Sequence, residues 1–214
     1  MALRKKPASR YHHGDLRAAL LGTAWNMVAK NGVDSLSLRS LADALGVSHA
    51  APAHHFPDKH ALLDALRLEA WQRFAVVLEA AEPSGLREVG RAYVAFATEH
   101  RRQMQLMFRS DSPPTAEIGA QGSRAWNALS RAVAKELGPK RAADEKDLNE
   151  MALAAWAGVH GLAALLTDLA LPGARTGKAG EALRERVLDV VLAGIALSPS
   201  PPRGKGWGEG LLSS

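Results

Sequence analysis

The chain has 214 residues, 47% apolar and 23% charged, enough material for one sizeable core or two small cooperating ones. It has no cysteine, which excludes disulfides, thiolate metal sites and cysteine nucleophiles and fits a reducing cytoplasm. The basic stretch Met1–Arg10 is followed by no apolar segment of the kind a secretory signal needs. The net charge of +5 is lopsided: residues 1–60 hold eight Lys/Arg against four Asp/Glu, and the remainder nineteen against eighteen. Six of the eight histidines (His12, His13, His49, His54, His55 and His60) also lie in the first sixty residues. A basic end on a near-neutral body points to a polyanion partner at that end.

Helical periodicity runs through nearly the whole of residues 14–197, and no segment has the two-residue alternation of a strand, so the expected fold is all-α. Leu16, Leu20, Ala24, Met27 and Val28 share one face of a first helix over Asp15–Lys30, closed by Asn31-Gly32. Short helices are expected after Ser37 and after Ser48, and a long one after Pro57-Asp58 that ends near Glu82-Pro83-Ser84-Gly85. Leu86, Val89, Tyr93, Phe96, His100, Met104 and Met107 recur at three- and four-residue steps and predict one helix, broken at Ser112-Pro113-Pro114. Trp126, Leu129, Val133 and Leu137 define the next helix, which ends at Gly138-Pro139. A further helix is expected over Asp144–Leu169 and a last one over Glu181–Leu197, followed by a disordered Pro/Gly/Ser-rich tail at 198–214. Met151–Leu171 is long enough to span a bilayer but carries His160 and Asp168 and is apolar mainly through alanine. It is therefore expected to be buried, in a core or between subunits, with no membrane partner.

Residues 37–60 read SLRSLADALGVSHAAPAHHFPDKH. Ser37 can cap a helix with Leu38, Leu41, Ala42 and Leu45 inside; Gly46 permits the positive φ of a sharp turn; Val47 plugs the turn; and Ser48 caps again. Two short helices so joined make a helix-turn-helix, whose second member enters the major groove. That member would expose His49, Ala50, Ala53 and His54, histidine donating to phosphate or base edges and alanine meeting a thymine methyl. Pro52 removes an early helical hydrogen bond and predicts a short or distorted reading helix. Asp58 is a good N-cap, and the Lys59 after it is a cation where the helix dipole disfavours one, unless a phosphate sits there or the lysine is simply solvated. His49, His54, His55 and His60 lack the i, i+4 pairing of a helical metal site, so no metal is expected.

The stretches YHHGDLRAALLGTAW, LSLRSLADALGVSHAAP and HFPDKHALLDAL within Tyr11–Leu66 resemble the DNA-binding domain of TetR-type regulators. Ala-Trp-Ala-Gly-Val-His-Gly-Leu at 155–162 is similar to the ligand-binding half of a subgroup with a Trp…His-Gly signature. The resemblance implies a homodimer joined through the last two long helices, a palindromic double-stranded operator, and a repressor released by a small-molecule effector. It implies DNA contacts at Ser37, Arg39 and Lys59, to which the local reading adds Ser48, His49, Ala50, His54 and His55. Ala53 departs from the family's usual tyrosine, and His54 from a common arginine. Phe96, His100, Met104, Trp126, Trp156 and His160 are the candidate effector contacts, with plain core packing the alternative for each. His160, polar on an apolar helix, needs a partner from a ligand or a facing subunit. Gly158 and Gly161 suit a close helix approach, at a dimer seam or a pocket alike.

The expected division is a DNA-binding domain over 1–60, an effector-binding and dimerisation domain over 61–197, and the tail. No phosphate loop, Gly-x-Ser-x-Gly elbow, His-Glu-x-x-His or Glu-x-x-His pair supports an enzyme, and no cofactor is implied. The competing reading is a helical ligand-binding or dimerisation module that has lost DNA binding, for which Pro52 and Ala53 speak.

Overall fold

A computed structural model describes residues 13–109, 113–167 and 177–199, and these form an all-α fold. The basic stretch Met1–Arg10 and the expected tail from residue 200 onward lie outside the described residues. Helices α1 (His13–Asn31), α2 (Leu38–Leu45) and the first turns of α3 (Lys59–Ala81) make an N-terminal cluster. Its centre is Leu20, Ala24, Val28, Leu36, Leu41, Phe56 and Leu62, all nearly or wholly removed from water. Each such leucine contributes about 2 kcal/mol of transfer free energy.

The body is built from α4 (Leu86–Glu99), α5 (Arg101–Met107), α6 (Ala116–Ala142), α7 (Glu145–Thr167) and α8 (Gly177–Leu197) packed around the rest of α3. α3 lies along α6, α4 along α7, and α7 along α8. The apolar core continues without a break from the N-terminal cluster into the body, because α3 spans both.

Two elements differ from the expected boundaries. The helix expected over Leu86–Met107 is broken at His100 (φ −113°, ψ 41°), so α4 and α5 are separate. Three- and four-residue spacing continues across the break, which is why periodicity hides it. α6 is bent at Gly138, whose φ of 73° and ψ of 168° are non-helical, ahead of Pro139. The helix proper thus ends where the Gly-Pro pair predicts, and a short turn follows.

α7 is long and apolar enough to cross a membrane by length and composition, with a mean hydropathy of 1.3. It is not buried all round. Ala152, Ala155, Val159, Leu162 and Leu166 face the core, whereas Leu153 and Leu165 are 54% and 44% exposed. Gly158 serves a close approach within the chain: a Cβ there would lie 2.3 Å from Val191 Cγ1 of α8, while none would touch anything at Gly161.

The end of α8 is tied to the body. Arg141 donates to Asp147 at 2.8 and 2.9 Å and to the Ser198 carbonyl at 2.8 Å. Ser198 therefore belongs to the folded body rather than to a loose tail.

Candidate nucleic-acid interface and adjoining cavity

The Ser37 hydroxyl accepts from the Ser40 amide, and the Ser37 amide donates to the Ser40 hydroxyl, both at 3.0 Å. This reciprocal cap satisfies two amides that would otherwise lack partners at the start of α2. At the other end Gly46 takes the left-handed conformation (φ 67°, ψ 30°). The Val47 amide reaches the Ala42 carbonyl at 3.1 Å and the Gly46 amide reaches Asp43 at 3.3 Å. These paired bonds close α2 in a Schellman turn and redirect the chain, the local event a helix-turn-helix needs.

The second member is not an α-helix. From Ser48 to Phe56 the backbone makes three-residue turn bonds, Ala51 to Ser48, Ala53 to Ala50 and His54 to Ala51, with a 3₁₀ turn over Pro52–His54. Pro52 is the cause: an α-helix capped by Ser48 would need its amide. Its ring is buried beneath the turn, and Phe56 (2% exposed) pins the turn's end. Val47, expected to plug the turn, is only half-buried. Pro52 and Phe56 do that work instead, and a proline buried for packing leaves no signature in hydrophobic spacing.

On the outside of this turn His49, Ala50, Ala53 and His54 are exposed, with Ser37, Arg39 and Ser48 exposed beside them and His55 half-buried. The His49 ring nitrogen Nε2 lies 2.7 Å from Asp43 Oδ1, which fixes the ring against α2. No Lys or Arg occurs between Arg39 and Lys59, so the turn presents donors and methyl groups flanked by two cations. The Asp58 carboxylate accepts from the Ala61 amide at 2.8 Å and caps α3, leaving Lys59 in its first turn. Among the described residues no three His, Cys, Asp or Glu side chains form a cluster able to hold a metal.

In the body, α3, α4, α6 and α7, with Leu192 of α8, line a cavity of about 310 Å³. Five of its lining residues are aromatic: Trp71, Phe74, Tyr93, Trp126 and Trp156; the others are mostly aliphatic or small. No charged side chain is on its wall. Phe74 and Tyr93 meet edge-on at 5.0 Å between ring centres, and Trp126 and Trp156 at 6.2 Å, geometries that aromatic quadrupoles favour. The Tyr93 hydroxyl is the polar centre: Trp156 Nε1 donates to it at 3.2 Å, and His160 Nδ1 lies 2.7 Å away. Burial pushes the Tyr93 phenol well above its ordinary value, because a phenolate would lose its hydration there.

Of the six residues expected to meet a ligand, Trp126 and Trp156 line the cavity. His160 stands behind the wall, bonded to Tyr93, so its partner comes from its own chain. Phe96, His100 and Met104 are off the wall. The His100 ring packs 4.7 Å from Phe96 and 5.5 Å from Trp25 of α1. The buried Gln103 amide donates to the Trp25 carbonyl at 3.2 Å. These residues join the body to the N-terminal cluster. Just past the end of α5, the Phe108 ring packs behind the cavity wall, 5.3 Å from Trp71, 6.2 Å from Trp156 and 5.0 Å from His160. Tyr93, Trp71 and Phe74 were missing from the expected ligand set; an aromatic at core spacing reads as core until the void between helices is seen.

Residues 20–66 match the family described as bacterial regulatory proteins, tetR family, and residues 86–191 match the tetracyclin repressor-like C-terminal domain. An HTH-type transcriptional repressor of Mycobacterium tuberculosis is 39% identical over 69 residues, 32% of this chain; the chain spans only 37% of that curated relative. A solved structure from Rhodococcus sp. RHA1, a protein of unknown function, is 34% identical and superimposes with a TM-score of 0.72, covering 88% of this chain and 99% of that one. The TetR-family regulator PfmR of Thermus thermophilus shares the fold at 21% identity and a TM-score of 0.59, over 90% of this chain and 98% of its own. The capped α2, the glycine turn and the exposed segment after it lie within the first of these matches and the aromatic cavity largely within the second: this chain belongs to the TetR family of bacterial DNA-binding transcription regulators, which regulate rather than catalyse.

Proposed function

We propose that the protein is a homodimeric repressor, acting in the cytoplasm, that holds a palindromic operator through residues 1–60 and lets go when a small molecule enters the body formed by residues 61–197. The observation that carries this reading is α5, which touches both places. Phe108 at its end packs against Trp71 and Trp156 of the cavity wall, and Gln103 and the preceding His100 grip Trp25 of α1. A ligand that displaces those tryptophans moves Phe108 and with it α5, and α5 carries α1 with it. Ligand binding then favours a separation of the two reading heads that misfits successive major grooves.

On the DNA, Ser37, Arg39 and Lys59 take phosphates, while Ser48, His49, Ala50, His54 and His55 lie over the groove. The dimer is supported by apolar surface that the protomer leaves uncovered. Leu183, Val190 and Leu197 on α8 are 49%, 63% and 82% exposed, and Leu153 and Leu165 of α7 are exposed as well. Two such pairs facing each other form a four-helix seam.

The test is release. With labelled operator bound to the full-length protein, a compound that occupies the cavity is expected to lower operator affinity at least tenfold, followed by fluorescence anisotropy. A cavity ligand that leaves affinity unchanged would sink the release mechanism.

A further inference from the structure

We infer that the cavity takes an uncharged, flat aromatic compound carrying one hydrogen-bond donor, and that Tyr93 is the residue that reads the donor. This rests on the cavity being the effector site.

The wall argues the first half. A volume of about 310 Å³ equals that of about ten water molecules at ~30 Å³ each, room for a small fused-ring compound. Ring faces and edges meet at steep angles around it, so a flat ring can lie on one tryptophan and present its rim to another. No charge lines the wall, and guanidiniums adjacent to it in sequence are paired, Arg124 with Glu79 at 2.6 and 2.9 Å, Arg87 with Asp189 and Arg91 with Glu185. A charged ligand would lose its hydration and gain no counter-ion.

The hydrogen-bond inventory argues the second half. Indole N–H only donates, so Trp156 uses one lone pair of the Tyr93 oxygen. Among the described residues one acceptor lies within reach of the phenolic proton, His160 Nδ1 at 2.7 Å, and we assign the proton to that bond, whose length suits hydroxyl donation. With its proton given to His160, the Tyr93 oxygen keeps one lone pair and no donor. A ligand hydroxyl or N–H satisfies it; a ligand that only accepts finds nothing.

The experiment uses the full-length protein and four probes on one skeleton: 2-naphthol, 2-methoxynaphthalene, decahydro-2-naphthol and 2-naphthoate. Affinities are read by calorimetry and tryptophan quenching. 2-Naphthol is expected to bind about tenfold tighter than its methyl ether, several-fold tighter than its saturated analogue, and at least a hundredfold tighter than the carboxylate. In Tyr93→Phe the tenfold preference over the ether disappears while the ether itself still binds, which shows the cavity intact. Equal or tighter binding of the carboxylate or the saturated alcohol, a preference that survives in Tyr93→Phe, or no binding of 2-naphthol at millimolar concentration overturns the inference. Operator affinity is measured in parallel. The expected ranking without operator release leaves the ligand class standing and removes the effector role, whereas release by the carboxylate does the reverse.

Discussion

Asp147 is 2% exposed and meets Arg141 through both carboxylate oxygens. The guanidinium holds its carboxyl below the usual range, hydrogen bonding outweighing burial. A depressed folded-state pKa contributes stability above the unfolded value of ~3.9 and loses it as pH falls through the folded value. Asp147→Asn is expected to cost about 2–3 kcal/mol at neutral pH, less than a fully buried pair because Arg141 is partly in water. It should also flatten the acid limb of the stability curve, measured by urea melts from pH 7 to pH 3. In the proposed reading Lys59 acts on the DNA instead of the fold, so Lys59→Ala should weaken binding uniformly across DNA sequences and lower the salt slope by about one. Roles such as these divide by reach. The caps at Ser37 and Asp58 and the turn at Gly46 were legible because cap, amide and glycine lie within four residues of each other. His160 was legible as a residue in need of a partner, but its partner, Tyr93, lies 67 positions away, and only packing brings them together.

At the scale of elements, α2 depends on its ends more than on its length. Eight residues are too few for a self-supporting helix, so the cap and the burial of Leu41 and Ala42 hold it. Ser37→Ala is expected to lower stability by about 1 kcal/mol in denaturant melts and to weaken operator binding as well. The reading segment after it was partly legible. Pro52 announced a shortened helix, and a 3₁₀ turn is found there, since the missing amide is a local fact. The separation of α4 from α5 was not legible, because its cause is the packing of His100 between Phe96 and Trp25 rather than a Gly or Pro. In the proposed release mechanism that hidden break has the larger weight, since it makes α5 a separate unit between the cavity wall and α1.

For the whole molecule, the all-α class followed from helical periodicity without a strand-like alternation. The cavity did not, since a void is a property of helix spacing and not of any one stripe. The uncovered rows on α7 and α8 predict that the protomer is half of the working unit. Val190→Arg, at the 63% exposed centre of that face, should shift the protein from dimer to monomer in light scattering while its helical circular dichroism is retained. Operator affinity should fall at least a hundredfold with it, because one head binds half a site.

Selection of the purified full-length protein against random duplex DNA, with binding of the winner at two salt concentrations, tests the central claim most directly. The account predicts a palindrome whose half-sites are about one helical turn or a multiple apart, with affinity falling steeply as salt rises. Enrichment of no sequence would contradict it, and would leave the fold as a ligand-binding module whose reading turn, altered at Pro52 and Ala53, no longer reads.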